Sequence, residues 1–297
     1  MRLFKKGKVK EVYEIDENTL LYRFTDNVSV FDKVIPTSIP RKGETLCRTS
    51  THWMKVAGDM GIHTDYRSMP SPNEMIVERV NIIHDYSKID TTTKNYLIPL
   101  EVIARHYLAG SLLDRIKKGK VNAADLGLDS VEYGTPIPGS FLEFTTKLEK
   151  FDRPISEAEA IDMAGLTRSE LDEIKETVMR LDERMSRDVK PRGLLHVDGK
   201  KEFAFDGERR LMLIDTFGTA DEDRWWDAEA YERGEHVELS KEHVRKYYRD
   251  TGYHTKLMEA RDRGEGEPDI PPLPDSVVGE VSELYMQMYE RLTGSRL

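Results

Sequence analysis

A single cysteine, Cys47, stands in a chain of 297 residues. One thiol forms no intrachain disulfide framework and no zinc site of cysteines. Alone, it reads as a packing residue rather than a nucleophile. Long apolar runs are also missing: no stretch approaches the roughly 20 residues that span a bilayer. The start, MRLFKKGKVK, lacks the apolar core of a signal peptide. A cytoplasmic protein with no membrane partner is therefore expected. Nor is there a basic surplus, because 45 Lys and Arg face 55 Asp and Glu, a formal net charge of −10. Nucleic-acid binders normally show the opposite balance, so no nucleic-acid partner is expected. A local basic pocket for a phosphorylated small molecule is still compatible with that charge.

What remains is a globular composition, 38% hydrophobic and 34% charged, long enough for one large domain or two lobes. The first part is strand-rich. GKVKEVYEI and TLLYRFTD alternate around Asp16-Glu17-Asn18, which predicts an opening β-hairpin, and MIVERVNII predicts a third strand. After the polar stretch HDYSKIDTTTKNYL a new unit begins, which places a boundary between a β-rich lobe (1–97) and a larger α+β lobe (98–297). Ser156 with Glu159, and Thr167 with Glu170, have the spacing of helix-capping boxes. Leu171, Ile174, Val178, Leu181 and Met185 then recur at steps of three and four, one apolar face of a core helix. Strands near 194–197, 200–205 and 210–216 follow, punctuated by Asp198-Gly199 and Asp206-Gly207. Helix signals return after Ser240 and in VVGEVSELYMQMYERL, with RDRGEGEPDIPPLPD between them as a loop. Strand and helix blocks without regular alternation predict an α+β fold.

The run from Lys200 to Trp226, KKEFAFDGERRLMLIDTFGTADEDRWW, places two carboxylates in strands that otherwise read as buried. Pairing around a four-residue loop, Asp206 to Arg209, would set Phe205 opposite Arg210 and Glu202 opposite Leu213. Asp215 is then the diagonal neighbour of Glu202. Two buried carboxylates that close call for a proton or a hard cation, most simply magnesium carrying phosphates. The alternative is two solvated acids on the outer face of a hairpin.

Other constellations are ambiguous singly. GKVKEVY sets Lys8 and Lys10 on one side of a strand after Gly7, suited to gripping a polyphosphate, or simply a solvated lysine face. RHYLAGS joins Arg105 to a small-residue turn whose Ser111 can bind an anion; the competing reading ends a helix at Gly110, with Arg105 exposed. DEDRWW sets Arg224 among acids and aromatics, and SKEHVRKYY spaces Lys241 and Arg245 one helical turn apart.

Their order and identity together are not ambiguous. The chain resembles the SAICAR synthetase family, phosphoribosylaminoimidazole-succinocarboxamide synthases. GKVKEVY, TDNVSVFDKVIPTSIPRKG, IPLEVIARHYLAGS, FTTKLEKFD, KKEFAF, LIDTFGTADEDRWW and SKEHVRKYY occur in the family's order from residue 7 to about residue 248. The resemblance implies a two-lobed fold with antiparallel sheets and an ATP cleft between the lobes. It implies a ligase of purine biosynthesis that joins the carboxylate of carboxyaminoimidazole ribotide (CAIR) to the amine of L-aspartate, using ATP and Mg2+. A small-molecule kinase on a related scaffold is the alternative. By the same resemblance Lys8, Val9 and Lys10 cover the ATP phosphates, and Glu202 and Asp215 hold the metal. Lys147 lies near the reacting groups, with Asp152 from the same loop. Asp32, Arg105, Ser111, Arg224, Lys241 and Arg245 contact the ribotide, and the adenine lies along Glu78 to Asn81. A homodimer is implied on the same basis. Two features depart from the family pattern. The stretch at 84–97 is lengthened, and Asp223 stands where a Ser commonly precedes the Arg, bringing extra negative charge beside Arg224.

Overall fold

The computed structural model describes residues 1–239 and 241–297; Ser240, which opens the SKEHVRKYY segment, lies outside them. The chain begins with strands β1 (Arg2–Lys6), β2 (Lys10–Glu14) and β3 (Thr19–Phe24). The predicted hairpin around Asp16-Glu17-Asn18 is β2–β3, with Lys10 opposite Phe24 and Glu14 opposite Leu20. Lys8 does not lie on the strand beside Lys10. It sits in the β1–β2 turn, where Gly7 N–H donates to Lys10 O at 2.8 Å. A Cβ on Gly7 would meet that same oxygen, so only glycine fits. The small ribbon β4 (Ser29–Val30) and β5 (Lys33–Val34) turns through Phe31 and Asp32, both at positive φ. That is the type I′ geometry of two-residue hairpins, here without glycine.

Helix α1 (Lys42–Asp59) has no counterpart in the sequence reading. Its buried stripe includes Thr45, Thr49 and Ser50, and Thr49 Oγ1 donates back to Thr45 O at 2.7 Å, so apolar periodicity is diluted. Strands β6 (Tyr66–Ser71) and β7 (Glu74–Glu78) complete a first sheet in the order β1-β2-β3-β7-β6.

The second sheet begins at β8 (Tyr96–Tyr107). Helix α2 (Gly110–Lys117), β9 (Pro136–Thr146), β10 (Pro154–Ile155) and α3 (Glu157–Ala164) follow. Then come α4 (Arg168–Val189), β11 (Leu194–Phe205), β12 (Leu211–Ile214) and β13 (Asp223–Asp227). Gly110 therefore starts a helix after a strand rather than ending one, and Arg105, on β8, is buried. Helix α4 opens with the full Thr167–Glu170 capping box, and Leu171, Ile174, Val178, Leu181 and Met185 are all fully buried. Burying five such side chains contributes on the order of 10 kcal/mol of gross hydrophobic free energy.

Two strands share one edge of β11. Its second half pairs with β12 and its first half with β13, so loop 215–222 interrupts that edge. Asp198-Gly199 is not a turn, because both residues continue the ladder to β8, opposite Arg105 and Ala104. The chain closes with α5 (Ala228–Glu232), α6 (Glu242–Asp250), α7 (Tyr253–Arg263) and α8 (Asp275–Thr293). Helix α7 takes Arg261 to Arg263 from the segment read as loop, and α8 packs on α1. The 84–97 stretch is tied down by Arg209, whose guanidinium donates to Thr93 O and, at 2.9 Å, to Gly165 O.

Candidate active site

Residues of both sheets line a cavity of about 640 Å³. Its apolar wall is built from Val12, Leu20, Val80, Leu97, Leu148 and Ile214. The segment Glu78 to Asn81 lies along it, and Lys8, Val9 and Lys10 border it from the first sheet. At its polar end Lys10, Asp65, Lys147, Glu202 and Asp215 converge.

Both carboxylates line the cavity, but not through the expected register. Arg209 adopts positive φ, and Asp206 N–H donates to Arg210 O at 3.1 Å, which shortens the hairpin loop to Gly207–Arg209. Phe205 thus faces Leu211 and Glu202 faces Ile214, one residue off the expected pairing. Such a slip would turn Asp215 to the opposite face if the strand continued. Instead β12 ends at Ile214, and Asp215 takes a left-handed conformation with φ 62°. Its N–H points to Asp65 Oδ2 at 3.4 Å, and its carboxylate meets the Lys10 ammonium. Lys147 meets Glu202.

The charges explain the balance. Burial alone would raise the Asp215 carboxyl, but the Lys10 and Lys147 ammonium groups outweigh it and hold it well below the usual range. Burial and the Asp215 charge push Asp65 the other way, well above that range. Asp65 Oδ1 is buried without a hydrogen-bond partner. Lys200 is bound at 2.9 Å to Glu101, 3.3 Å to Glu202 and 3.4 Å to Glu222, and these carboxylates raise its pKa against the effect of burial.

Asp198, Lys200 and Glu202 alternate on one face of β11, so Asp198 stands about 13 Å from Glu202. At that end Arg105 Nε donates to Glu143 at 2.8 Å and Nη2 to Ser111 Oγ at 3.3 Å. Arg224 Nε lies 3.8 Å from Asp198, which Arg105 also approaches at 3.6 Å. A Cβ on Gly110 would come within 3.0 Å of the Arg224 guanidinium. The structure thus brings Arg105, Ser111 and Arg224 together around a backbone turn opened by glycine, an arrangement suited to a phosphate. Asp223 does not compete for Arg224: its carboxylate lies 2.7 Å from His196 Nε2 on the other face.

Lys241 approaches Asp221 Oδ2 at 3.7 Å, and the buried Lys42 binds the same oxygen at 2.8 Å. Arg245 follows one turn along α6, close enough to Tyr285 for its charge to act on the phenol. Asp32 is exposed and accepts from Lys8 Nζ at 2.8 Å, so it borders the cavity through that lysine. Asp152 is exposed and outside the cavity lining, and the structure does not bring it to the other groups. Sequence reasoning missed Lys200, Asp65 and Lys42. Lys200 is legible from the strand period two residues before Glu202. Asp65 carries no local signal, because it reaches Asp215 only through the bridge between Thr64 and Leu213.

A family model described as SAICAR synthetase matches residues 3–260. Phosphoribosylaminoimidazole-succinocarboxamide synthase of Thermoplasma acidophilum is 50% identical, with 100% of each chain covered. The enzyme of the same name from Thermoplasma volcanium is 48% identical, again over 100% of both. Among solved structures, the SAICAR synthase from Saccharomyces cerevisiae complexed with SAICAR aligns with a TM-score of 0.78 at 25% identity, covering 100% of this chain and 96% of that one.

Proposed function

The chain belongs to the SAICAR synthetase family, and we propose that its cavity and arginine cluster are the two ends of one ligase site. The protein is an ATP-dependent ligase that joins CAIR and L-aspartate to give SAICAR, ADP and phosphate. The observation that carries the site assignment is the single face of β11, on which Asp198, Lys200 and Glu202 connect the Arg105–Arg224 cluster to the cavity.

A carboxylate does not accept an amine directly at neutral pH, because an oxide ion does not leave. Arg105, Ser111 and Arg224 hold the ribotide phosphate, and the CAIR carboxylate extends along Lys200 toward the cavity. Lys8, Val9 and Lys10 border the ATP phosphates, while the adenine rests on the apolar wall near Glu78 to Asn81. A carboxylate oxygen attacks the γ-phosphorus and ADP leaves, which produces an acyl phosphate. The aspartate amine then attacks the acyl carbon, and phosphate departs with that oxygen. The work of Lys10, Lys147 and Lys200 is to align the groups and balance their charge.

The donor set fits magnesium. Glu202 and Asp215 supply hard oxygen ligands at the cavity's polar end, and the unpartnered Asp65 Oδ1 lies at the same end. When bound there, the ion would spread the charge of the β- and γ-phosphates. The division into lobes 1–97 and 98–297, the cytoplasmic location and the homodimer belong to the same proposal. Among the described residues, no helix is long and apolar enough to cross a membrane.

The test is ADP release with CAIR in the presence and absence of L-aspartate, with the product weighed by mass spectrometry. A product of SAICAR mass, formed only with all three substrates, is expected. Stable phosphorylated product without aspartate would favour a small-molecule kinase.

A further inference from the structure

The opposite face of β11 carries a second set of charges. Against β13 the register slips between His196 and Asp198, so His196 joins Gly199 and Lys201 on the side of α4. Lys201 is wholly buried, 2.5 Å from Asp182 Oδ1 on α4 and 3.3 Å from Asp223 Oδ2 on β13. His196 Nε2 lies 2.7 Å from the same Asp223 oxygen, and its ring stacks on Trp225 at 4.4 Å. His106 reaches Asp182 Oδ2 at 3.0 Å and Ser140 Oγ at 2.7 Å. His106, Asp182 and His196 converge as ligands of a metal ion would. The Lys201 ammonium, however, already supplies a positive charge to that carboxylate. Burial would raise the Asp182 carboxyl, yet Lys201 holds it well below the usual range.

The cluster reaches the active site through Asp223. Its Oδ1 accepts Gly218 N–H at 2.9 Å, and Gly218 O accepts from Trp53 Nε1 at 3.1 Å. The peptide groups on both sides of Gly218 are therefore fixed, at φ +68°, and a Cβ there would meet Trp53 at 2.5 Å. Asp223 N–H closes the loop onto Thr219 O at 3.0 Å. Gly199 makes room for this carboxylate, since its Cβ would fall 2.0 Å from Asp223 Oδ2. Asp215 and Arg224 stand at the two ends of the segment so held.

We propose that Asp223, anchored by His196 and Lys201 and seated against Gly199, is a positioning residue that clamps Gly218 and so fixes the spacing between Asp215 and Arg224. Its kinetic consequence rests on the ligase reading above. A misplacement of 1 Å between reacting groups costs roughly 100-fold in rate.

The test compares Asp223→Ala and Asp223→Asn with the parent in three readouts: kcat with saturating substrates, equilibrium affinity for ADP, and amide hydrogen exchange of the Phe217–Asp221 segment. In Asp223→Ala, kcat should fall about 100-fold, ADP affinity should stay within threefold, and loop exchange should accelerate. Asn retains an oxygen for Gly218 N–H and should recover at least tenfold of the lost rate. Should the alanine variant not fold, Asp223→Ser, whose side chain is too short to reach Gly218, carries the same expectation. A kcat within threefold of the parent in the alanine variant, or unchanged loop exchange, would overturn the proposal. So would one equivalent of zinc retained by the purified parent and lost in His196→Asn, which would make the cluster a metal site. A parent that forms no SAICAR would instead overturn the ligase reading, and the exchange result would still decide the clamp.

Discussion

Lys200 and Lys201 are adjacent in β11, and each meets carboxylates contributed by three or two other side chains, yet they stand in different chemistry. The Lys200 side chain is 29% exposed and shares Glu101, Glu202 and Glu222 beside the cavity. Lys201 is 0% exposed and is closed in by Asp182 and Asp223. In both, neighbouring carboxylates overcome the effect of burial and raise the pKa. A raised lysine pKa is therefore no marker of catalysis by itself. What separates the two faces is whether oxygens remain reachable: Glu202 lines the cavity, whereas the Asp182 and Asp223 side chains are closed off.

Changes on the open face should fall first on activity. Asp215→Asn or Glu202→Gln should lower kcat by about 1,000-fold or more. Near-normal turnover at ordinary magnesium would erase the distinction between the faces. On the closed face the order reverses. Lys201→Met leaves two buried aspartates without their ammonium and should cost about 3–5 kcal/mol in urea unfolding. Lys200→Met should cost less in unfolding than Lys201→Met, because Glu202 keeps Lys147 as a partner, and should act mainly on kcat.

Acid sharpens the same contrast. The folded Asp182 carboxyl lies below its unfolded value because Lys201 outweighs burial. The unfolded chain thus binds the extra proton, and this stabilisation is complete above about pH 4 to 5 and drains away as pH falls below it. Asp182→Asn should be less stable at pH 7 and show a shallower loss on the acid side; an unchanged slope would contradict the pairing. The smallest effect should come from Asp152→Ala, on neither face, with kcat within twofold of the parent.

The local patterns were the legible ones. The β2–β3 hairpin and the α4 face follow from spacings within a few residues, and the Thr167–Glu170 cap formed as spaced. The β11–β12 register was off by one because a left-handed Arg209 shortens the loop, a choice that side-chain alternation does not encode. Helix α1 hid behind hydroxyls bonded to its own backbone. Glu202 and Asp215 could be paired as candidates from one hairpin. Asp65 and Lys42 could not, since their partners Asp215 and Asp221 lie 150 and 179 residues away. The negative charge expected beside Arg224 is moved for a similar reason: strand alternation and His196, 27 residues away, turn Asp223 to the other face.

The central claim is that the open face of β11 presents the CAIR carboxylate to the γ-phosphoryl group. The most direct test uses CAIR labelled with 18O in that carboxylate, turned over with ATP and L-aspartate. One labelled oxygen should appear in the released phosphate for each SAICAR formed. Phosphate free of label, at full conversion, would contradict an acyl phosphate and the placement of both substrates along that face.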